Sequence, residues 1–223
     1  MGIISLEHMN ELYWLGRYTE RVYTTLRLYF NSFDAMIDIT LDHYKKFCES
    51  IEIPDIYGSA EEFRRRYPFD ETDVNSILSN LNRAYDNAII LREEIGSETL
   101  SYIQLAVYDM QKAKVSGAPL IQLQSVADNI LAFWGIADDS IDSEQVRNII
   151  KAGKRIERID LYARLKISRK ELLREIHRLI PRIAKCGIHY DRKKLVEMEE
   201  LVKCEKIDYY KLVQLTESVI QEN

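Results

Sequence analysis

One seventeen-residue pattern occurs twice in this chain, and it constrains the fold more than anything else in the sequence. Leu12–Leu28 reads LYWLGRYTERVYTTLRL, and Ile149–Leu165 reads IIKAGKRIERIDLYARL. Gly16 falls on Gly153, Glu20 on Glu157, Arg21 on Arg158, Arg27 on Arg164 and Leu28 on Leu165, without a gap. Apolar residues recur at three- and four-residue steps in each copy (Leu12, Leu15, Val22, Leu26; Ile149, Ala152, Ile156, Ile159), the period of a core-facing helix. A glycine in a helix interior costs about 1 kcal/mol against alanine, and close backbone packing is the usual reason to keep it. The fold is expected to be organised around these two helices.

The rest of the sequence points to an all-α protein, a helical bundle in which these two long helices are pseudo-equivalent core elements. Eight Gly and four Pro among 223 residues are few breakers, and they gather at apparent helix ends. No segment alternates long enough to argue a sheet. A chain of this length can bury a sizeable core, and 1–223 reads as a single domain. No charge-poor apolar run approaches the roughly 18–20 residues that cross a bilayer. The opening residues have no basic region before an apolar stretch, so nothing suggests export. Gly2 invites comparison with an N-myristoylation signal, but Leu6 stands where that signal has Ser or Thr. Cys48, Cys186 and Cys204 are odd in number and widely spaced, which reads as reduced thiols in a cytoplasmic protein.

Element by element, Ser5 caps a first helix with no evident stop before Glu49, its seam passing through Met36, Ile37, Leu41, Tyr44 and Phe47. Residues 50–58 form a loop, and Ser59-Ala60-Glu61-Glu62 is a capping box for a short helix closed by Pro68. Thr72 or Asp73 caps the next helix, running to about Val115 with a bend or break at Gly96. After Ser116–Pro119, a helix from Leu120 to Trp134 ends at Gly135, and 137–142 form an acidic loop. Ser143 caps the second motif helix, Ser168 opens a helix ending near Cys186-Gly187, and Asp191 and Asp208 cap two short ones.

Charge is unevenly spread. Residues 1–146 carry 12 basic and 24 acidic side chains, whereas 147–185 carry 13 basic and 4 acidic. A basic stripe of this kind could receive an anionic ligand or an acidic partner; the simpler reading is that it faces acidic residues of its own chain. Arg64-Arg65-Arg66 has only Tyr67 as a stacking neighbour and reads as a solvated face, so nucleic acid is not an expected partner.

Glu20, Arg21 and Arg27, with Glu157, Arg158 and Arg164, sit beside the apolar seams, where charges persist only if paired. The preferred reading is a reciprocal clamp, Glu20 with Arg158 or Arg164 and Glu157 with Arg21 or Arg27. The alternative is a ligand site, with arginines receiving carboxylate or phosphate. Asp138-Asp139-Ser140-Ile141-Asp142 spells the DDxxD of isoprenoid synthases, but it falls in an expected loop and lacks a second acidic motif. None of the four histidines follows a glutamate at three residues, as a di-iron bundle would require. No metal or cofactor is expected.

LYWLGRYTERVYTTLRL resembles the N-terminal signature of the bacterial α-E family, all-helical domains with a repeated Glu-Arg motif. Asn75–Leu100, Phe133–Ile141 and Lys151–Leu165 agree with it in order, so the resemblance covers most of 1–165 and leaves 168–223 as a helical extension. It implies that Arg17, Glu20, Arg21, Arg27, Arg92, Glu98, Glu157, Arg158 and Arg164 are the positions of interest. Lys154 departs from the arginine expected after the second glycine. The family's association with circularly permuted ATP-grasp and transglutaminase-like proteins implies an accessory domain that binds such a partner, a peptide or both, in making or modifying amide bonds. The rival expectation is an enzyme of amide formation or cleavage that uses the motif glutamates as bases.

Overall fold

The computed structural model describes residues 4–220, so Gly2 lies outside them. Ten α-helices are present among the described residues: α1 (Leu6–Asp38), α2 (His43–Ser50), α3 (Ala60–Arg66), α4 (Ile77–Ile90), α5 (Arg92–Val115), α6 (Pro119–Ser140), α7 (Glu144–Arg164), α8 (Arg169–Cys186), α9 (Arg192–Lys203) and α10 (Tyr209–Ser218). The extended pairing among them is one isolated antiparallel bridge, Tyr190 to Ile220. The chain is an all-α helical bundle. It divides into two compact units, one made of residues up to Arg17 and from Ser143 onward, the other of Tyr18–Asp142.

In the first unit, short polar side chains start the helices where the sequence placed them. The Val146 amide donates to Ser143 Oγ (3.3 Å) at α7, and the Lys193 and Lys194 amides donate to Asp191 at α9. The Lys211 amide donates to Asp208 Oδ1 (3.0 Å) at α10. Each cap satisfies an N–H that the helix itself cannot. Gly187, at φ +78°, ends α8 in the left-handed conformation that glycine adopts without strain. α7 packs on α8 and α10, and α9 packs on α8 and α10. Leu12, Leu15, Ile149, Ile156, Leu172, Ile176, Met198 and Leu212 are fully buried and form the interior of the unit.

In the second unit the helices break at places the sequence did not mark. The first helix does not reach Glu49: α1 stops at Asp38, with no Gly or Pro near. Thr40 turns the chain, its carbonyl accepting from the His43 amide (3.0 Å) and its Oγ1 from the Asp42 amide (3.3 Å), local bonds that compete with the helical ladder. Ile37 and Leu41, expected on the seam, are 66% and 63% exposed, while Met36, Tyr44 and Phe47 are buried. α4 is capped by Ser76, which accepts from the Ser79 amide (3.0 Å), and not by Thr72 or Asp73. Those two serve the preceding turn: Thr72 donates to Asp70 through its amide and hydroxyl, and Asp73 Oδ1 accepts from the Asn75 amide. The helix expected to run to Val115 ends at Ile90 and restarts at Arg92, while the bend expected at Gly96 is present as a kink (φ +79°). Around α2 and α3 the core is aromatic. Phe63 stacks on Tyr67 (centroids 5.2 Å apart), and Phe47 and Tyr57 meet those rings edge-on.

α6 also differs from expectation. Gly135 does not stop it; the helix continues to Ser140, because Ala137 and Ile141 carry the buried stripe onward. Asp138 and Asp139 therefore stand exposed on its last turn and not in a loop. A β-carbon added at Gly135 would meet nothing within 4 Å. Gly135→Ala is expected to stabilise the protein by about 0.5–1 kcal/mol, since the added methyl restricts the unfolded chain at no native cost. Denaturant unfolding followed by helical circular dichroism measures this, and a destabilised variant would contradict it.

Candidate ligand site and ion-pair clamp

The two motif glycines touch each other's helix. A β-carbon on Gly16 would lie 2.0 Å from the Ile150 carbonyl oxygen, and one on Gly153 would lie 2.1 Å from the Tyr13 carbonyl oxygen. The next neighbours are the Lys154 and Arg17 amide nitrogens, so the contact is reciprocal: each glycine meets the residue three before, and the residue one after, the other glycine. Only hydrogen at both Cα atoms lets the backbones approach this closely.

That crossing point positions the first charge pair. Arg17 follows Gly16 by one residue and Glu157 follows Gly153 by one turn, so both project just beyond the crossing. Arg17 Nε donates to Glu157 Oε2 at 2.7 Å; Arg17 is 9% exposed and Glu157 fully buried. Burial opposes the guanidinium charge, but the Glu157 carboxylate outweighs it and holds Arg17 above its ordinary pKa. The guanidinium lies 4.8 Å from the Trp14 ring and 5.9 Å from the Tyr13 ring, both cation–π distances. Burial pushes the Tyr13 hydroxyl up to about 12. Arg17, Tyr13 and Trp14 line one side of a cavity of about 580 Å³, whose other walls include Glu7, His189 and Glu217.

The remaining expected residues are distributed as follows. Glu20 is fully buried and accepts from Thr24 Oγ1 (2.9 Å). Arg21 is half-buried and its carbonyl accepts from Thr25 Oγ1. Arg158 approaches Glu175 at 3.9 Å. Arg164 donates through two nitrogens to Asp160 (3.2 Å each) and through Nη2 to Glu217 (2.7 Å). Arg27 is exposed. Arg92 and Glu98 are exposed in the second unit, Arg92 donating to Ser97 Oγ (3.1 Å) and Glu98 accepting from Ser140 Oγ (3.4 Å). Arg17 and Glu157 are thus brought into direct contact, and Arg92 and Glu98 lie apart from them in sequence and unit.

Two buried carboxylates escaped the sequence reading. Glu175, fully buried on α8, accepts from Arg155 (2.5 Å), Arg178 (3.1 Å) and Arg174 (3.4 Å). Burial alone would raise its pKa, but Arg155, Arg158 and Arg178 bring it below the ordinary value. Much of the basic stripe is therefore answered from inside the stripe. Its sequence signal was a glutamate in phase with Leu172, Ile176 and Leu179. Asp160 is 2% exposed, and burial together with the neighbouring Glu157 charge raises its pKa against the pull of Arg164. Among the described residues no cluster of three or more His, Cys, Asp or Glu could hold a metal ion, and no helix is long and apolar enough to cross a membrane.

Compared with known proteins, residues 8–190 match the model of one family, Alpha-E, described as a predicted alpha-helical domain with a conserved ER motif. The match contains both Glu-Arg dipeptides, 20–21 and 157–158, and continues past Leu165 through α8. No curated protein and no solved structure matches the chain. An all-helical chain, matched over most of its length and carrying the dipeptide twice, belongs to the Alpha-E family.

Proposed function

We propose that the chain is an accessory binding domain that works beside an ATP-grasp-type ligase or a transglutaminase-like protein in making or modifying peptide or amide bonds. The observation that carries a binding role over a catalytic one is the state of Glu157. A general base must reach the proton it abstracts, and this carboxylate is fully buried and bonded to Arg17 at 2.7 Å. On this reading the motif helices are pseudo-equivalent halves of one repeat, crossing at Gly16 and Gly153, and residues 1–223 act as a single domain. Arg17, Glu157, Arg158 and Arg164 serve a structural, ion-pairing role in the first unit, and Glu20 and Arg21 serve such a role in the second. Arg17 is also presented to the cavity, while exposed Arg27, Arg92 and Glu98 offer polar contacts to a partner. Three free cysteines suit the cytoplasm.

The test is reconstitution with the ATP-grasp-type or transglutaminase-like protein encoded nearest to it. The expected result is co-purification, a higher rate of amide formation or modification by that partner when the chain is added, and no turnover by the chain alone. Turnover by the isolated chain would favour the enzymatic alternative. Absence of both binding and rate enhancement would overturn the accessory role.

A further inference from the structure

Arg17 has five N–H donors: Nε bonds Glu157 at 2.7 Å, and the Tyr13 hydroxyl is a further hydrogen-bond partner of the guanidinium. Two bonds do not use all five donors, and Arg17 lines the cavity. The group is nine-tenths buried, held at one edge by a fixed carboxylate and against one face by Trp14. A guanidinium immobilised in this way has already lost its rotamer freedom, so an anion that reaches its remaining donors gains charge-assisted bonds at little ordering cost.

We propose that this cavity binds a short peptide by its free C-terminal carboxylate, with Arg17 as the carboxylate receptor. The proposal rests on the binding role above and names its ligand class. The rest of the lining selects among anions. Glu7 is exposed at the cavity, and Glu217, bonded to Arg164, is a second carboxylate on the wall. Two negative groups disfavour a phosphate dianion and favour a ligand that is negative at one end and positive at the other. Ten residues of α1 separate Glu7 from Arg17, about 15 Å along the axis at 1.5 Å per residue. An extended chain covers roughly 3.3–3.6 Å per residue. A free amino acid is too short to join the two groups, whereas three or four residues suffice. The peptide's ammonium then lies toward Glu7 and its carboxylate on Arg17, with Tyr13 and Trp14 as an apolar wall between.

The probes are tetra-alanine as the free acid, its C-terminal amide, its N-acetylated acid, and inorganic phosphate. Binding is read from the Trp14 indole and arginine side-chain NMR signals of the intact chain. The free acid is expected to shift these signals saturably, and the amide to bind at least tenfold more weakly, the scale of one lost charge-assisted pair. Arg17→Lys keeps a cation beside Glu157 but removes the remaining guanidinium donors, and should weaken the acid by tenfold or more while the helical spectrum is retained. Glu7→Gln, at an exposed position, should weaken the free acid and leave the N-acetylated acid unchanged. Equal binding of acid and amide, no saturable shift with any probe, undiminished binding by Arg17→Lys, or phosphate binding as tightly as the peptide acid would each overturn the proposal. If the partner enzyme still associates while peptide acids do not bind, the ligand assignment fails and the accessory role stands.

Discussion

Gly16→Ala should destabilise the protein by about 3 kcal/mol, at the upper end of what overpacking costs, and Gly153→Ala by a similar amount. Helix propensity alone predicts the opposite sign, because alanine is favoured over glycine in a helix interior by about 1 kcal/mol. The tertiary contact decides the outcome. The new methyl carbon would stand 2.0 Å from the Ile150 carbonyl oxygen in one case and 2.1 Å from the Tyr13 carbonyl oxygen in the other. Both obstacles are backbone atoms inside helices, which cannot swing aside as a side-chain tip can. The helices must separate, and the Arg17–Glu157 bond just beyond the crossing must lengthen with them. Urea unfolding of the two single variants and of the double variant measures this. The double should cost less than the two singles together, because one methyl has already moved the backbones apart. A neutral or stabilised Gly16→Ala, behaving like Gly135→Ala, would show that the close approach is absent in solution.

What could be read from the sequence was what is local or repeated. Ser59, Ser143, Asp191 and Asp208 cap helices through bonds to amides two or three residues on, so a cap is visible within a few letters. The repeat exposed Gly16 and Gly153, because an unfavourable residue kept at the same phase of two helices asks for a tertiary cause. The breaks at Thr40 and Leu91 left no such mark; neither has a Gly or Pro, and packing elsewhere in the chain decides them. Gly135 misled for the complementary reason. A glycine can end a helix only where the chain turns left-handed, and the apolar phase through Ala137 and Ile141 shows that this one does not.

The site was legible in kind, and less so in its particular contacts. Paired buried charges at the motif were expected, and Arg17 with Glu157 is a pair that the clamp did not include. Pairing depends on where two helices cross and how they are rotated, and the apolar period fixes the buried face but not the crossing point. Long-range partners such as Glu217 for Arg164, 53 residues apart, leave no trace at all in local pattern.

Glu175→Gln is the second substitution expected to have a large effect, about 3 kcal/mol of lost stability at neutral pH, the lower end for removing one partner of a buried ion pair. Its loss strands Arg155, whose side chain is 18% exposed, and removes a carboxylate 3.9 Å from Arg158; Arg174 and Arg178, about half exposed, turn to water at little cost. The wild-type carboxyl has a folded pKa lower than the 4.5 of the free group. Between the two values the unfolded chain binds more protons than the folded one, so stability rises with pH across that window. The contribution is complete above about pH 4.5 and disappears as the pH falls through the folded value. Asp160 acts with the opposite sign: its folded pKa is raised, so its contribution favours the fold at low pH and is lost as the pH climbs through that raised value. Comparing wild type with Glu175→Gln cancels Asp160, which is common to both. The stability gap between them should be flat from pH 7 to 5 and close on acidification below about 4.5. A gap that persists unchanged at pH 3 would mean that packing, not the charge of Glu175, holds α8 to α7.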